Sequence, residues 1–545
     1  MNARPGVTLA LCLAGIALAG VAHAGIMQTT YELNYPSVSS DGKIIAFYSQ
    51  STNWGYGGMN SAYKVFVYSR ERHKVLNICK NGPYFADSYC ENPRISADGS
   101  QVVYESAAKN LIGGINTNYF VTNGLNTVNV FACEIEDGDF SAPAPGFTHK
   151  LINVSPYGGQ ANRGAEYPVC SSNGRFVAFQ TKSDNLDPDT VDTNYDVADT
   201  FSGMDIYLRD RDYDGNGVFD EEGSTKTRTR RVSLDSDSPV KHCAWYPSIS
   251  ADGQYVAYVM KRTMGESESG YAIGVCVRRM SDGMLWVYAT GAYNYTYEPR
   301  LSPDATHLCA QSWTTPSVAR TIMYHLPDTN WWYLAPTRNN TTGTYVYACE
   351  VSTGGHYVVF SSGNTNLVPN DMNRHSDVFV RYSASGNNSA QFEIVSKSTA
   401  GEQGDADSGD ESEYGLHYAD ITWDGRYVVF ISAATNLVAV DTNAVTDIFI
   451  RDRWSNTTDM VFQKTGNPVF PADASLTVSQ VTNTTAYLQW TAANDDFPIW
   501  EYQITLASHY GSTQIVVNGL SVTCLATGLR QGDEYTGTIY AFVCG

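Results

Sequence analysis

The chain has 545 residues and a formal net charge of −21, with 56 acidic side chains against 35 basic ones. That balance excludes a nucleic-acid binder, which needs a basic surface to meet phosphate. Hydrophobic residues make up 43% and charged ones 17%, an ordinary globular composition with length for two or more domains.

The first residues read as a targeting signal. Arg4 gives a short positive region, Val7 to Val21 an apolar core, and Ala22-His23-Ala24 a cleavage site before Gly25. The expectation is a signal peptide over 1–24 and an exported protein, periplasmic or extracellular. The apolar run is short for a membrane span and no later segment is long enough, so no span is expected. Cys12 follows the bulky Leu11; a lipid-bearing cysteine follows a small residue at the cleavage site.

One pattern then returns seven times. It reads first as Tyr35-Pro36-Ser37-Val38-Ser39-Ser40-Asp41-Gly42, followed by Ile44-Ile45-Ala46-Phe47. It comes back around Asp98-Gly99, Asn173-Gly174, Asp252-Gly253, Asp304-Ala305, Gly354-Gly355 and Asp424-Gly425. An alternating run, a tight Asp-Gly turn and a β-rich run make a hairpin. Most copies add a third strand, such as Val65-Phe66-Val67 or Asp447-Ile448-Phe449-Ile450, and some a fourth, such as Phe392-Glu393-Ile394-Val395. Four antiparallel strands make one propeller blade, and a blade buries its faces only by stacking on its neighbours. The fold class expected is all-β, with a seven-bladed propeller over 25–465.

The Pro-x-x-Ser-x-Asp-Gly hairpin followed by an apolar strand resembles the TolB-type, WD-like propeller repeat. The resemblance covers about Thr29 to Lys464. The fifth copy loses the Gly to Ala305, the sixth has Cys349 for Pro and Gly354 for Asp, and the seventh has Ala419 for Pro. TolB carries a separate α/β domain before its propeller, and this chain begins its first repeat almost at the cleavage site. The resemblance therefore implies the fold and not TolB's envelope role.

Within the repeats, Cys79 and Cys90 flank Gly82 and Pro83 in one inter-blade loop, which makes them the best disulfide pair in an exported protein. Cys276 and Cys309 stand in strand positions and read as buried thiols. The sharpest local motif is Asp212-Tyr213-Asp214-Gly215-Asn216-Gly217-Val218-Phe219-Asp220-Glu221. Calcium takes six to eight oxygens, and such a loop supplies several. Asp212, Asp214, Asn216, Asp220 and Glu221 are the expected metal ligands, with calcium as a structural cofactor; the bland alternative is an acidic, Asx-rich surface loop. A second motif, Asn366-Leu367 before Asp371-x-Asn373 and Asp377, recurs as Asn436-Leu437 before Asp441-x-Asn443 and Asp447. Repetition of equal chemistry favours loop bracing over a repeated cation site.

Gly466 to Pro471 reads as a linker, here set at 466–472. Beyond it, over 473–545, Ala486 to Trp490 and Trp500 to Ile504 resemble strands B and C of a fibronectin type III domain, and Leu529 to Tyr535 its E–F corner. Strand F runs on to Gly545. No residues remain for strand G, so an open edge is expected.

Hydrolase motifs are missing: there is no G-x-S-x-G elbow and no H-E-x-x-H. His242, His307, His325, His356, His375 and His417 fall in different repeats. The expectation is an exported, non-enzymatic binding or scaffold protein that presents a propeller face to a protein or glycan. The rival is a polysaccharide-active lyase or hydrolase with an axial site, favoured if carboxylates or histidines cluster at the axis.

Overall fold

The computed structural model describes most of 33–461 and 476–543, together with 7–12 and 15–19. Residues 1–6, 20–32, 51–61, 113–120, 191–202, 235–241, 264–270, 290–294, 335–346, 383–390, 410–417, 462–475, 491–498, 530–534 and shorter stretches fall outside the described residues. The cleavage site, the linker and most of the E–F corner lie among them.

Each repeat forms one four-stranded antiparallel sheet, and there are seven such sheets. Blade 1 runs Leu33–Val38, Ile44–Ser49, Lys64–Ser69 and Lys74–Asn77 from the axis outward. The inner strands of the next blades are Cys90–Ile95, Ala165–Cys170, His242–Ile249, Tyr295–Leu301, Tyr347–Val351 and Ala419–Ile421. Each inner strand touches the next, and the last touches the first, so the ring closes. The fifth blade, degenerate in its turn, still has all four strands. Ala305 takes φ 52 where its sisters have Gly.

The turn chemistry explains the repeated residues. In blade 1, Ser39 Oγ donates to Asp41 and accepts the Ile44 N–H at 3.0 Å, while Asp41 also accepts the Lys43 N–H. The same bonds recur through Ser96 and Asp98, Ser250 and Asp252, Ser302 and Asp304, and Thr422 and Asp424. The glycine has two duties. It takes positive φ, and it lies against the first residues of the second strand in the preceding blade. A Cβ on Gly253 would stand 2.2 Å from Phe176, and one on Gly425 2.2 Å from Tyr357. At the seam, a Cβ on Gly42 of blade 1 would stand 2.4 Å from Tyr427 of blade 7. Backbone bonds lace the turns together: Ser40 N–H to Ala97, Asp98 N–H to Ser172, Ser172 N–H to Ala251 and Ala251 N–H to Pro303.

The core lies between blades. Phe47, Phe66 and Tyr68 of blade 1 pack on Val429, Ile448 and Ile450 of blade 7. Cys79 and Cys90 sit between blades 1 and 2. They are free thiols, which corrects the expected disulfide. Each has a hydrogen-bonding place of its own: Val65 N–H donates to Cys79 Sγ at 3.2 Å, and Cys90 Sγ donates to Ser106 Oγ. Burial pushes the Cys79 thiol well up, and hydrogen bonding to Cys90 adds to this. Cys276 is a buried free thiol as expected, whereas Cys309 is disulfide-bonded, a second correction.

The C-terminal segment forms two three-stranded layers. Leu476–Ser479, Thr485–Trp490 and Thr523–Thr527 pair in one; Ile499–Ser508, Gly511–Asn518 and Tyr535–Val543 pair in the other. Trp490 meets Tyr502 edge-on between them, ring centroids 5.3 Å apart. In the uncleaved chain the edge of Tyr535–Val543, expected to be open, is paired with Val7–Cys12, with Val7 opposite Ile539 and Leu11 opposite Tyr535; a chain that starts at Gly25 lacks that strand and leaves the edge open. A row of strand N–H and C=O groups attracts any extended apolar segment in this way.

Two outcomes follow from this packing. Gly42→Ala strains φ and also strikes Tyr427, so it destabilises more than Gly215→Ala, which has φ 71 and nothing within 4 Å. The expected excess in urea unfolding is about 1–3 kcal/mol; equal losses would limit Gly42 to a backbone role. Iodoacetamide should label Cys79 and Cys90 only after unfolding, because both are fully buried; labelling of the native protein would contradict their placement.

Candidate functional site

The inner strands carry a bulge at the proline step. The residue before Pro has positive φ in five blades: Tyr35 at 52, Asn92 at 51, Tyr167 at 52, Tyr246 at 57 and Glu298 at 45. Register shifts between Asn34 and Ser37, and between Tyr297 and Arg300, mark the same step. The bulge re-aims the residue that follows the proline. In blade order the residue after the proline, or after the Cys349 and Ala419 that replace it, is Ser37, Arg94, Val169, Ser248, Arg300, Glu350 and Asp420, and all seven line one axial cavity of about 140 Å³.

Four of these are charged, and they meet across the axis. Arg300 Nε lies 2.8 Å from Glu350 Oε1, and Arg94 Nη1 lies 3.4 Å from the same oxygen. Arg300 also reaches Glu298 Oε2 at 3.2 Å, both side chains being 6% exposed. Asp420 accepts the Val38 N–H at 2.9 Å and the Ile421 N–H at 2.7 Å, so it bridges blade 7 to blade 1. Below these groups a smaller cavity of about 20 Å³ is lined by Tyr35, Tyr167, Tyr246 and Glu298, with Arg94 and Arg300 as its shared wall.

Burial dominates the electrostatics. It raises the Glu298 carboxyl to about 7, against the pull of Arg300 and Arg94. It raises Asp420 to about 7, with Glu350 adding repulsion. Nearby Glu105, which accepts the Tyr167 N–H and an amide hydrogen of Asn92, is raised to about 8 by burial and Glu166. These carboxyls therefore exchange protons near neutrality, the range in which an acid–base group is useful. The arrangement can hold charges of both signs and move a proton.

The residues expected to bind calcium are placed differently. Asp212 accepts the N–H groups of Asn216 and Gly217 in its own loop. Asp220 turns inward to Arg211, 2.7 Å away, and lies 3.6 Å from Arg209. Asp214 and Glu221 both face Lys226 Nζ, at 2.6 and 3.5 Å, and Asn216 donates to both carboxylates. The ammonium of Lys226 thus stands where these side chains converge. Asp220 and Asp212 point elsewhere, and no metal-holding group of three such side chains occurs among the described residues. As they stand, the residues do not fit a calcium cage. Of the second motif, Asn373 donates to Asp377 and to the Gly404 carbonyl, which is loop bracing; Asn443 lies outside the described residues.

Comparison with known proteins bears on both units. Residues 471–543 match the fibronectin type III domain. The C-terminal unit is a fibronectin type III domain. No curated protein matches the chain. Among solved structures it is similar to a prolyl endopeptidase, at 10% identity and TM-score 0.44, covering 85% of this chain and 55% of that one. It is similar to a puromycin-hydrolysing peptidase of Mycobacterium tuberculosis, at 11% identity and TM-score 0.43, covering 87% and 61%. It is also similar to a putative TolB from Agrobacterium tumefaciens, at 12% identity and TM-score 0.29, covering 72% and 89%. The chain thus spans a little over half the length of the two peptidases. At such identities the likeness concerns the fold alone.

The expected non-enzymatic binding or scaffold role, with its glycan-active rival, is corrected. The similar solved structures are mostly peptidases. At the axis Arg94, Arg300, Glu350 and Asp420 fill one register position of the repeat. That position could have been found by aligning the repeats and asking where residue type changes most.

The raised carboxyls fix the sign of the pH dependence. An acid whose folded pKa exceeds its unfolded value binds more protons when folded, so stability falls as pH rises between the two. For Glu298 the window runs from 4.5 to about 7, and for Asp420 from 3.8 to about 7. Urea unfolding should show the protein more stable at pH 5 than at pH 8, with a shallower fall in Glu298→Gln and Asp420→Asn. An unchanged slope in both variants would place the titrating groups elsewhere.

Proposed function

We propose that this protein is a peptide-processing propeller whose axial cavity receives a peptide end. The observation that carries the reading is the convergence of Arg94, Glu298, Arg300, Glu350 and Asp420 from four blades. Guanidinium groups bind carboxylates in a planar fork. Carboxylates that titrate near neutrality bind ammonium groups and exchange protons. A peptide end carries one of these partner charges, and its backbone supplies polar groups for the rest of the wall.

The test is a mass-spectrometric time course of a peptide mixture with the full chain, alongside retention on the immobilised protein. Peptides with free termini should be trimmed or retained, and Arg300→Gln should reduce either effect at least about tenfold, the scale of one lost charge pair. Peptides neither trimmed nor retained would overturn the reading.

Export and calcium enter as parts of the same proposal. Export rests on the Arg4, Val7–Val21 and Ala22-His23-Ala24 pattern; terminal sequencing of the protein from its native host should begin at Gly25, and a start at Met1 would count against it. Calcium at 212–221 requires Lys226 to leave Asp214 and Glu221. Calorimetry should therefore show tighter calcium binding in Lys226→Met than in the wild type; no heat in either would remove the site.

A further inference from the structure

The axial cavity has a size and a charge pattern that narrow its ligand. About 140 Å³ is far below the several hundred Å³ of a site for drug-sized molecules. It is the scale of a cavity that holds one benzene-sized guest, on the order of 150 Å³. A folded protein face, a sugar chain or a long peptide segment does not fit inside it.

The wall carries Arg94 and Arg300 against Glu350 and Asp420, with Glu298 buried behind Arg300. A purely anionic ligand would meet the carboxylates, and a purely cationic one the guanidinium groups. A molecule with one charge of each sign satisfies both. The remaining wall suits such a guest. Ser37 Oγ accepts the Ile95 N–H and Ser248 Oγ the Leu301 N–H, and each hydroxyl still carries a hydrogen of its own to donate.

We infer that the axial cavity binds a free zwitterion of α-amino-acid size, its carboxylate on Arg94 and Arg300 and its ammonium on Asp420 and Glu350. This inference rests on the peptide-processing reading and names the ligand of that site, a terminal residue once released. The binding is pH-dependent through Asp420, which meets the ammonium, and through Glu298, which stands behind Arg300. Glu298 is faced by Arg300, Arg94 and Glu350, and by Tyr35 and Tyr167. Asp420 is faced by Glu350 and Arg94, and by the backbone N–H groups of Val38 and Ile421. Protonation near neutrality removes negative charge from the ammonium side and leaves both guanidinium groups charged.

Calorimetry with L-alanine, N-acetylalanine and alaninamide on the full chain tests the inference. L-Alanine should bind, and each blocked form should bind at least about tenfold more weakly, because each leaves a desolvated charge unpaired. L-Alanine binding should also weaken from pH 8.5 to pH 5.5. Asp420→Asn and Glu298→Gln, both isosteric, should flatten that dependence; the ligand series on wild type stands alone if either variant fails to fold. N-Acetylalanine bound as tightly as L-alanine, or no L-alanine bound at all, would overturn the inference. Trialanine trimmed or retained without L-alanine binding would sink the zwitterion site and spare the peptide reading. L-Alanine bound without any peptide processing would do the reverse.

Discussion

Each blade is fixed to the one before it through the turn at the end of its inner strand. The glycine there takes a left-handed conformation, and its missing Cβ lets the backbone rest on the preceding blade's second strand: Gly253 on Phe176, Gly425 on Tyr357, Gly42 on Tyr427. The aspartate beside it holds the turn through the serine hydroxyl. Arginines just past the third strand tie the same turn from the other side, with Arg70 donating to the Gly42 carbonyl and Arg211 to that of Gly174. These bonds fix the turn and the aromatic floor beneath it. The residue that follows the proline step faces the axial cavity in every blade, and its type is free to vary. That freedom lets a structural repeat carry chemistry.

Much of the fold was legible because its cause is local. The hairpin, the turn and the alternating strands are written in every copy, and counting copies gave the blades. Even the fifth copy follows the rule, since Ala305 adopts the glycine conformation. The fibronectin strands were legible through their Trp and Tyr positions. The axial site was not, for a physical reason. Its residues are Ser37, Arg94, Val169, Ser248, Arg300, Glu350 and Asp420, and a search for sameness passes over a position defined by difference. The 212–221 loop shows another limit of reading by spacing. Spacing placed its oxygens in sequence but could not show Asp220 turning to Arg211, or Lys226 arriving from 12 residues away to face Asp214.

The charge distribution has two scales. The whole chain is acidic, and exposed pairs such as Lys43 with Glu71 contribute little in water. At the axis and under blade 3 the ion pairs are buried: Arg300 with Glu298, Arg211 with Asp220. Desolvation offsets much of their attraction, so they add little net stability, but removing one partner leaves a buried charge exposed to the loss. Such pairs fix geometry more than they add stability. Glu350, shared by Arg94 from blade 2 and Arg300 from blade 5, sets where opposite sides of the ring sit relative to each other.

Every blade is built from consecutive strands, and no sheet borrows a strand from the far end of the propeller. The junction of blades 1 and 7 is built as the others are, from an apolar layer and a turn lying on the neighbouring blade: Gly42 rests on Tyr427, where Gly99 rests on Ile44 and Gly174 on Gln101, and the Val38 N–H bonds to Asp420. The order in which the chain visits the blades is therefore not part of what stabilises them. Joining the propeller's two ends with a linker and cutting between any other two blades would give a circular permutant with the same ring. The ring itself does not fix which blade the chain begins with.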